Sequence, residues 1–208
     1  MEMRWISGVS RGRLGLISVM LAATSLSACV QTAPEEAMSF AAPPMQWDHH
    51  PQAEEWTEST LVALSTKDPI LSEHVPADIE SWCPGYAEAP VEERRAFWAG
   101  LLSAVARYES TWNPAASGGG GRWIGLMQIS PRSAANYGCE ATSVNALKDG
   151  EQNLECAVEI MSTQVAKDGM VAGGGNRGIG RDWAPLRSSE KRAAMAAWTR
   201  EQPYCQAG

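Results

Sequence analysis

The chain has 208 residues, 44% of them hydrophobic and 20% charged, with a formal net charge of -7. That length holds one domain with appendages or two small domains. An acidic balance without a basic stripe excludes nucleic acid as a partner, and it leaves an acidic polymer to be held by short-range contacts alone.

Residues 1–28 read as a leader. Arg4, Arg11 and Arg13 make a positive start, and Leu14 to Ser25 is an apolar run too short to span a bilayer. It ends in Leu26-Ser27-Ala28-Cys29, which resembles the bacterial lipobox and implies lipidation of Cys29 after cleavage. An ordinary signal peptide with an Ala-x-Ala-like site is the alternative. Both take the protein out of the cytoplasm, and Val30 after the cysteine points to a periplasmic protein anchored in the outer membrane. Cleavage removes three arginines and one glutamate and leaves a net charge of -9.

Residues 29–54 are rich in Ala, Pro and charge, lack periodicity, and read as a tether. Residues 55–89 read as an N-terminal extension, with a helix over Glu54 to Ser65 and then a proline-marked loop. Residues 90–208 read as the main domain, mostly α. Its first helix runs from Pro90 to Ser110, with Pro90 at the start and Glu92-Glu93 at the positive end. Trp98, Leu102 and Val105 form its apolar face, and Gly100 suits close packing. A second helix starts at Ser130-Pro131 and ends near Gly138, and a third covers Gly150 to Asp168 behind Asp149 as N-cap. The glycine-rich loop 169–181 follows, then a last helix over Ser189 to Arg200.

After Cys29 four cysteines remain, an even count that argues for disulfides in an exported chain. The preferred pairings are Cys139–Cys156, near in sequence, and Cys83–Cys205, which joins the ends of the domain. No Cys/His spacing suits zinc, and His49, His50 and His74 lie in loops, so no metal or cofactor is expected. Gly173, Gly175 and Gly178 satisfy G-x-G-x-x-G without a preceding strand and read as loop.

Glu109 continues the series of Trp98, Leu102 and Val105, so a carboxylate points where core side chains point. Burial without a partner is costly to the charged form and raises the pKa, which is what a general acid requires. The plainer reading is a helix-terminal glutamate paired with Arg107 or Arg122.

Glu109-Ser110-Thr111-Trp112-Asn113-Pro114, then Ser117, then Gly125-Leu126-Met127-Gln128, resembles the catalytic signature of the lytic transglycosylase SLT domain. This is the glycoside hydrolase family 23 group, related to goose-type lysozymes. Asn153, Ala157, Ile160 and Met161 stand where that family has a third, fainter block. The resemblance implies a lysozyme-like α fold, Glu109 as catalytic acid/base, and Ser117, Met127 and Gln128 along a sugar groove. It implies peptidoglycan glycan strands as substrate, cleaved between N-acetylmuramic acid and N-acetylglucosamine with a 1,6-anhydro product. A monomer on a lipid anchor is expected.

The Ser117 to Gly125 spacing is longer than the common family version, its four glycines suggest a mobile loop, and no Ala-Tyr-Asn-Ala-Gly motif is present. Asn176 stands near the place of that motif. A muramidase using water, with Asp149 or Glu140 as base, and a catalytically idle glycan-binding lipoprotein both stay open as alternatives. Trp123, among glycines, is a candidate for stacking on sugar or for packing. Trp183 and Trp198 are assigned to the core, and Ser110 to a contact at the helix end.

Overall fold

A computed structural model describes residues 42–67 and 70–206. The leader and Cys29 lie outside the described residues. Among those described, α-helices dominate: α1 (Ala53–Thr66), α2 (Ile70–Glu73), α3 (Val91–Glu109), α4 (Pro131–Tyr137), α5 (Val144–Leu147), α6 (Gly150–Asp168) and α7 (Ser189–Arg200). One hairpin, β1 (Ser117–Gly118) with β2 (Trp123–Ile124), lies between α3 and α4. No helix among the described residues is long and apolar enough to cross a membrane.

The middle of the fold is α3. Every residue from Ala96 to Ala106 is buried, so the helix is enclosed on all sides and not only on the one apolar face its periodicity suggests. Helices α1, α2 and α7 pack on it, and Trp98 donates its indole N–H to the Leu71 carbonyl at 2.9 Å. Gly100 sits where a Cβ would run into the Tyr204 hydroxyl, so its absence of a side chain lets the C-terminal segment close over α3. The second long helix, α6, packs against α1, α2, α4 and α5. Its N-cap is Asp149, which accepts from the Gln152 N–H at 3.1 Å, and Gly169 ends it in the left-handed conformation at φ 62°.

Two disulfides close the structure, Cys83–Cys205 across 122 residues and Cys139–Cys156 across 17. The first ties the entry of the domain to its end, where the Gly85 N–H also donates to the Cys205 carbonyl at 2.9 Å.

The packed body begins before residue 54, where the tether reading would place it. Met45 and Trp47 are buried, and Trp47 meets Trp56 edge-on at 6.0 Å and donates to Thr57 Oγ1 at 2.9 Å. The prolines and charges of this stretch hide two apolar anchors. The "GGGG" stretch lies in the β1–β2 hairpin. Gly119, Gly120 and Gly121 take positive φ and form the tip of the hairpin that β1 and β2 close. Loop 169–181 is clamped. Asp168 accepts from the Gly178 N–H at 2.6 Å and from the Arg181 guanidinium at 2.9 Å, and Asp78 accepts from Val171 and Ala172.

Candidate active site

Glu109 is the last residue of α3. The helix cannot continue because Thr111 and Trp112 both adopt positive φ, 54° and 57°, and turn the chain sharply away. A β-branched residue in this region is strained. The turn is held by the Trp112 indole N–H, which donates to the Ser103 carbonyl at 2.9 Å, and by His49, whose ring meets Trp112 edge-on at 4.6 Å. Ser110 bonds the Ala106 carbonyl, the helix-end contact expected of it.

The Glu109 carboxyl is half-buried at the end of the core-facing stripe. Removal from water pushes its pKa from 4.5 up to about 7, while the positive charges of Lys191 and then Arg187 pull in the opposite direction. It forms no hydrogen bond or ion pair with another described residue. Arg107 and Arg122 do not pair with it. Their guanidinium groups lie over the rings of Tyr108, at 5.8 Å, and Trp123, at 5.4 Å. The acid is therefore desolvated, in no ion pair with a described residue, and partly accessible.

The Gly125–Gln128 turn stands beside the hairpin. Gly125 takes φ 80°, and a Cβ there would strike the Leu147 carbonyl and the Asn153 side chain, so only glycine fits. Asn153, fully buried on α6, uses its carboxamide to join this turn to the end of α5. Its Oδ1 accepts from the Met127 N–H at 2.9 Å, and its Nδ2 donates to the carbonyls of Ile124 at 3.0 Å and Leu147 at 2.9 Å. Trp183, buried as expected, donates to the Met127 carbonyl at 3.0 Å. Gln128 is held at φ 49° with its Nε2 on the Gly125 carbonyl at 2.9 Å.

Of the residues expected along a groove, Ser117 is exposed on β1 and Gln128 is half-buried. Met127 is not a surface residue: it is fully buried, and its backbone N–H and carbonyl are bonded to Asn153 and Trp183. Trp123 is 44% exposed on the hairpin, and Trp198, assigned to the core, is only half-buried against it. Asp149 and Glu140 are engaged elsewhere, the first as the cap of α6 and the second with Lys67 at 3.4 Å. Asn176 is exposed in the loop after α6. The sequence did not point to Lys191 and Arg187, whose charges act on Glu109 from α7 and the 3-10 turn before it. The available signal was a lysine in the first turn of a helix, where a cation is disfavoured.

Comparison with known proteins agrees with this architecture. A family model described as the transglycosylase SLT domain matches residues 89–197. Solved structures of Bd0314 DslA are similar at 29% sequence identity, and each alignment covers 80% of this chain and 100% of that one. Two are glutamate-to-glutamine mutants, with TM-scores of 0.73 and 0.71, and one is a wild-type form, with 0.72. No curated protein matches the chain. By its helical fold and the match over 109 of its 208 residues, the chain belongs to the transglycosylase SLT domain family, a lytic-transglycosylase-type family of peptidoglycan enzymes.

Proposed function

We propose that this protein is a peptidoglycan lytic transglycosylase with Glu109 as its single acid/base. The observation that carries this reading is the unpaired, half-buried carboxyl at the end of α3, with its pKa raised to about 7. In the protonated form it gives its proton to the glycosidic oxygen between N-acetylmuramic acid and N-acetylglucosamine, and that bond breaks. The carboxylate then takes the proton from the muramic 6-hydroxyl, whose oxygen bonds to the anomeric carbon and closes a 1,6-anhydro ring. Glu109 ends as it began, and no water is consumed. The nucleophile is part of the substrate and already close to its target, so one carboxyl suffices. Glycosidases that use water commonly need two carboxyl groups.

Strain at Thr111 and Trp112 supports a built site, since such outliers persist only where the surrounding structure over-determines them. Ser117 and Gln128 form the reading's groove wall. Within the same reading, residues 1–28 are a lipoprotein leader and Cys29 an anchor that holds the enzyme at the outer membrane, facing the wall.

Digestion of purified sacculi and mass spectrometry of the products tests the proposal. Anhydro ends from the wild type, and none from Glu109→Gln, are expected. Reducing ends would favour the muramidase, and no release at all the idle binding protein.

A further inference from the structure

The positive charges of Lys191 and Arg187 act on Glu109 in a chain whose net charge is -7. Their surroundings differ. Arg187 spends Nε on the Gly180 carbonyl at 2.8 Å and one terminal nitrogen on the Arg181 carbonyl at 2.7 Å, so its guanidinium is fixed in place. Lys191 is exposed, and its ammonium lies 5.4 Å from the ring centre of Tyr108, the residue before Glu109. Neither forms an ion pair with a described carboxylate, whereas Lys67 pairs with Glu140 and Glu155, and Arg181 with Asp168.

Lys191 also breaks a local rule. It is the third residue of α7, close to the positive end of the helix dipole, where a cation is disfavoured and Glu190 is favoured. Its ammonium meets the Tyr108 ring but is in no ion pair with a described carboxylate, so its charge is open to an anionic partner outside the fold. We propose that Lys191, backed by Arg187, anchors a carboxylate of the glycan strand beside the bond to be cleaved. The inference rests on the peptidoglycan reading above and adds a specificity determinant to it.

Peptidoglycan carries such a group in two places. Where the stem peptide has been removed, the muramic lactyl group ends in a free carboxylate, and where it is intact the peptide supplies its own. Either would meet an exposed ammonium over an aromatic face. Short-range capture of this kind is what an acidic enzyme requires to hold an acidic polymer.

The test uses the Glu109→Gln protein, which is expected to bind without cleaving, titrated calorimetrically with soluble glycan strands. Strands with stems and strands stripped of stems are each compared before and after chemical amidation of their carboxyl groups. Amidation, or adding Lys191→Gln, is expected to weaken binding by about three- to tenfold, with no further loss when both are combined, and Lys191→Arg restores most of it. Sensitivity that persists in stripped strands assigns the lactyl carboxylate, and sensitivity confined to stem-bearing strands assigns the peptide. Binding that Lys191→Gln leaves unchanged, or weakens equally on amidated strands, overturns the inference and leaves the enzymatic reading standing. No binding by any variant, together with no product from the wild type, overturns that reading itself.

Discussion

Asn153 and Met127, 26 residues apart in the chain, are joined by a 2.9 Å hydrogen bond from the Met127 N–H to the Asn153 side chain. Because the same carboxamide also satisfies the Ile124 and Leu147 carbonyls, one buried side chain fixes the turn that carries Gln128. Asn153→Ala leaves the Met127 N–H and the Leu147 carbonyl without partners, while the Ile124 carbonyl keeps the Ile129 N–H, and is expected to cost about 2–3 kcal/mol of stability. Chemical denaturation measures this. Asn153→Asp is expected to fail too, since it cannot donate to the two carbonyls.

Gly125→Ala is expected to be as damaging by a different route. At φ 80° the new Cβ faces a backbone carbonyl and the Asn153 side chain, neither of which can give way. Backbone strain and overlap together are expected to cost roughly 2–4 kcal/mol, with loss of activity at temperatures where the variant is still folded. Gly120, at the open tip of the hairpin, also has positive φ but meets nothing within 4 Å, so Gly120→Asn is the matched control and is expected to be nearly neutral.

The Cys83–Cys205 bond closes a 122-residue loop. Replacing both cysteines by alanine is expected to lower stability by about 4–5 kcal/mol from the freed chain alone. Removing Cys139–Cys156, with its separation of 17, is expected to cost about 3 kcal/mol. Thermal melts of the two double variants, under oxidising conditions, give the order.

Glu109 links stability to pH with a defined sign. Its pKa is raised in the folded state, from 4.5 to about 7, so its contribution to stability is fully present below pH 4.5 and is lost as pH rises through about 7. Glu109→Gln removes that loss. The variant is expected to match the wild type at pH 4 and to exceed it by roughly 1–3 kcal/mol at pH 8. Urea midpoints at the two pH values check the divergence, and kcat/KM of the wild type is expected to fall over the same interval as the acid loses its proton.

Much of this architecture is legible in the residues. The caps Ser130 and Asp149 and the stripe through Trp98 place the long helices to within a residue or two, because these signals act locally. The Glu109 position follows from the same stripe. What stays hidden depends on packing between elements. Trp47 lies among prolines and looks like tether until Trp56 and Thr57 are brought to it. Met127 follows a glycine turn and looks exposed until Asn153 and Trp183 tie its backbone inward. Lys191 is 82 positions from Glu109, and only the packing of α7 on α3 unites them.

Selective 13C labelling of glutamate and an NMR titration of the Glu109 carboxyl, assigned with Glu109→Gln, tests most directly whether this residue is a proton donor in a half-dry site. The structure predicts a midpoint near pH 7, well above the ordinary glutamate value of 4.5. A midpoint at the ordinary value, with the other glutamates, would show a solvated surface carboxylate and contradict the account.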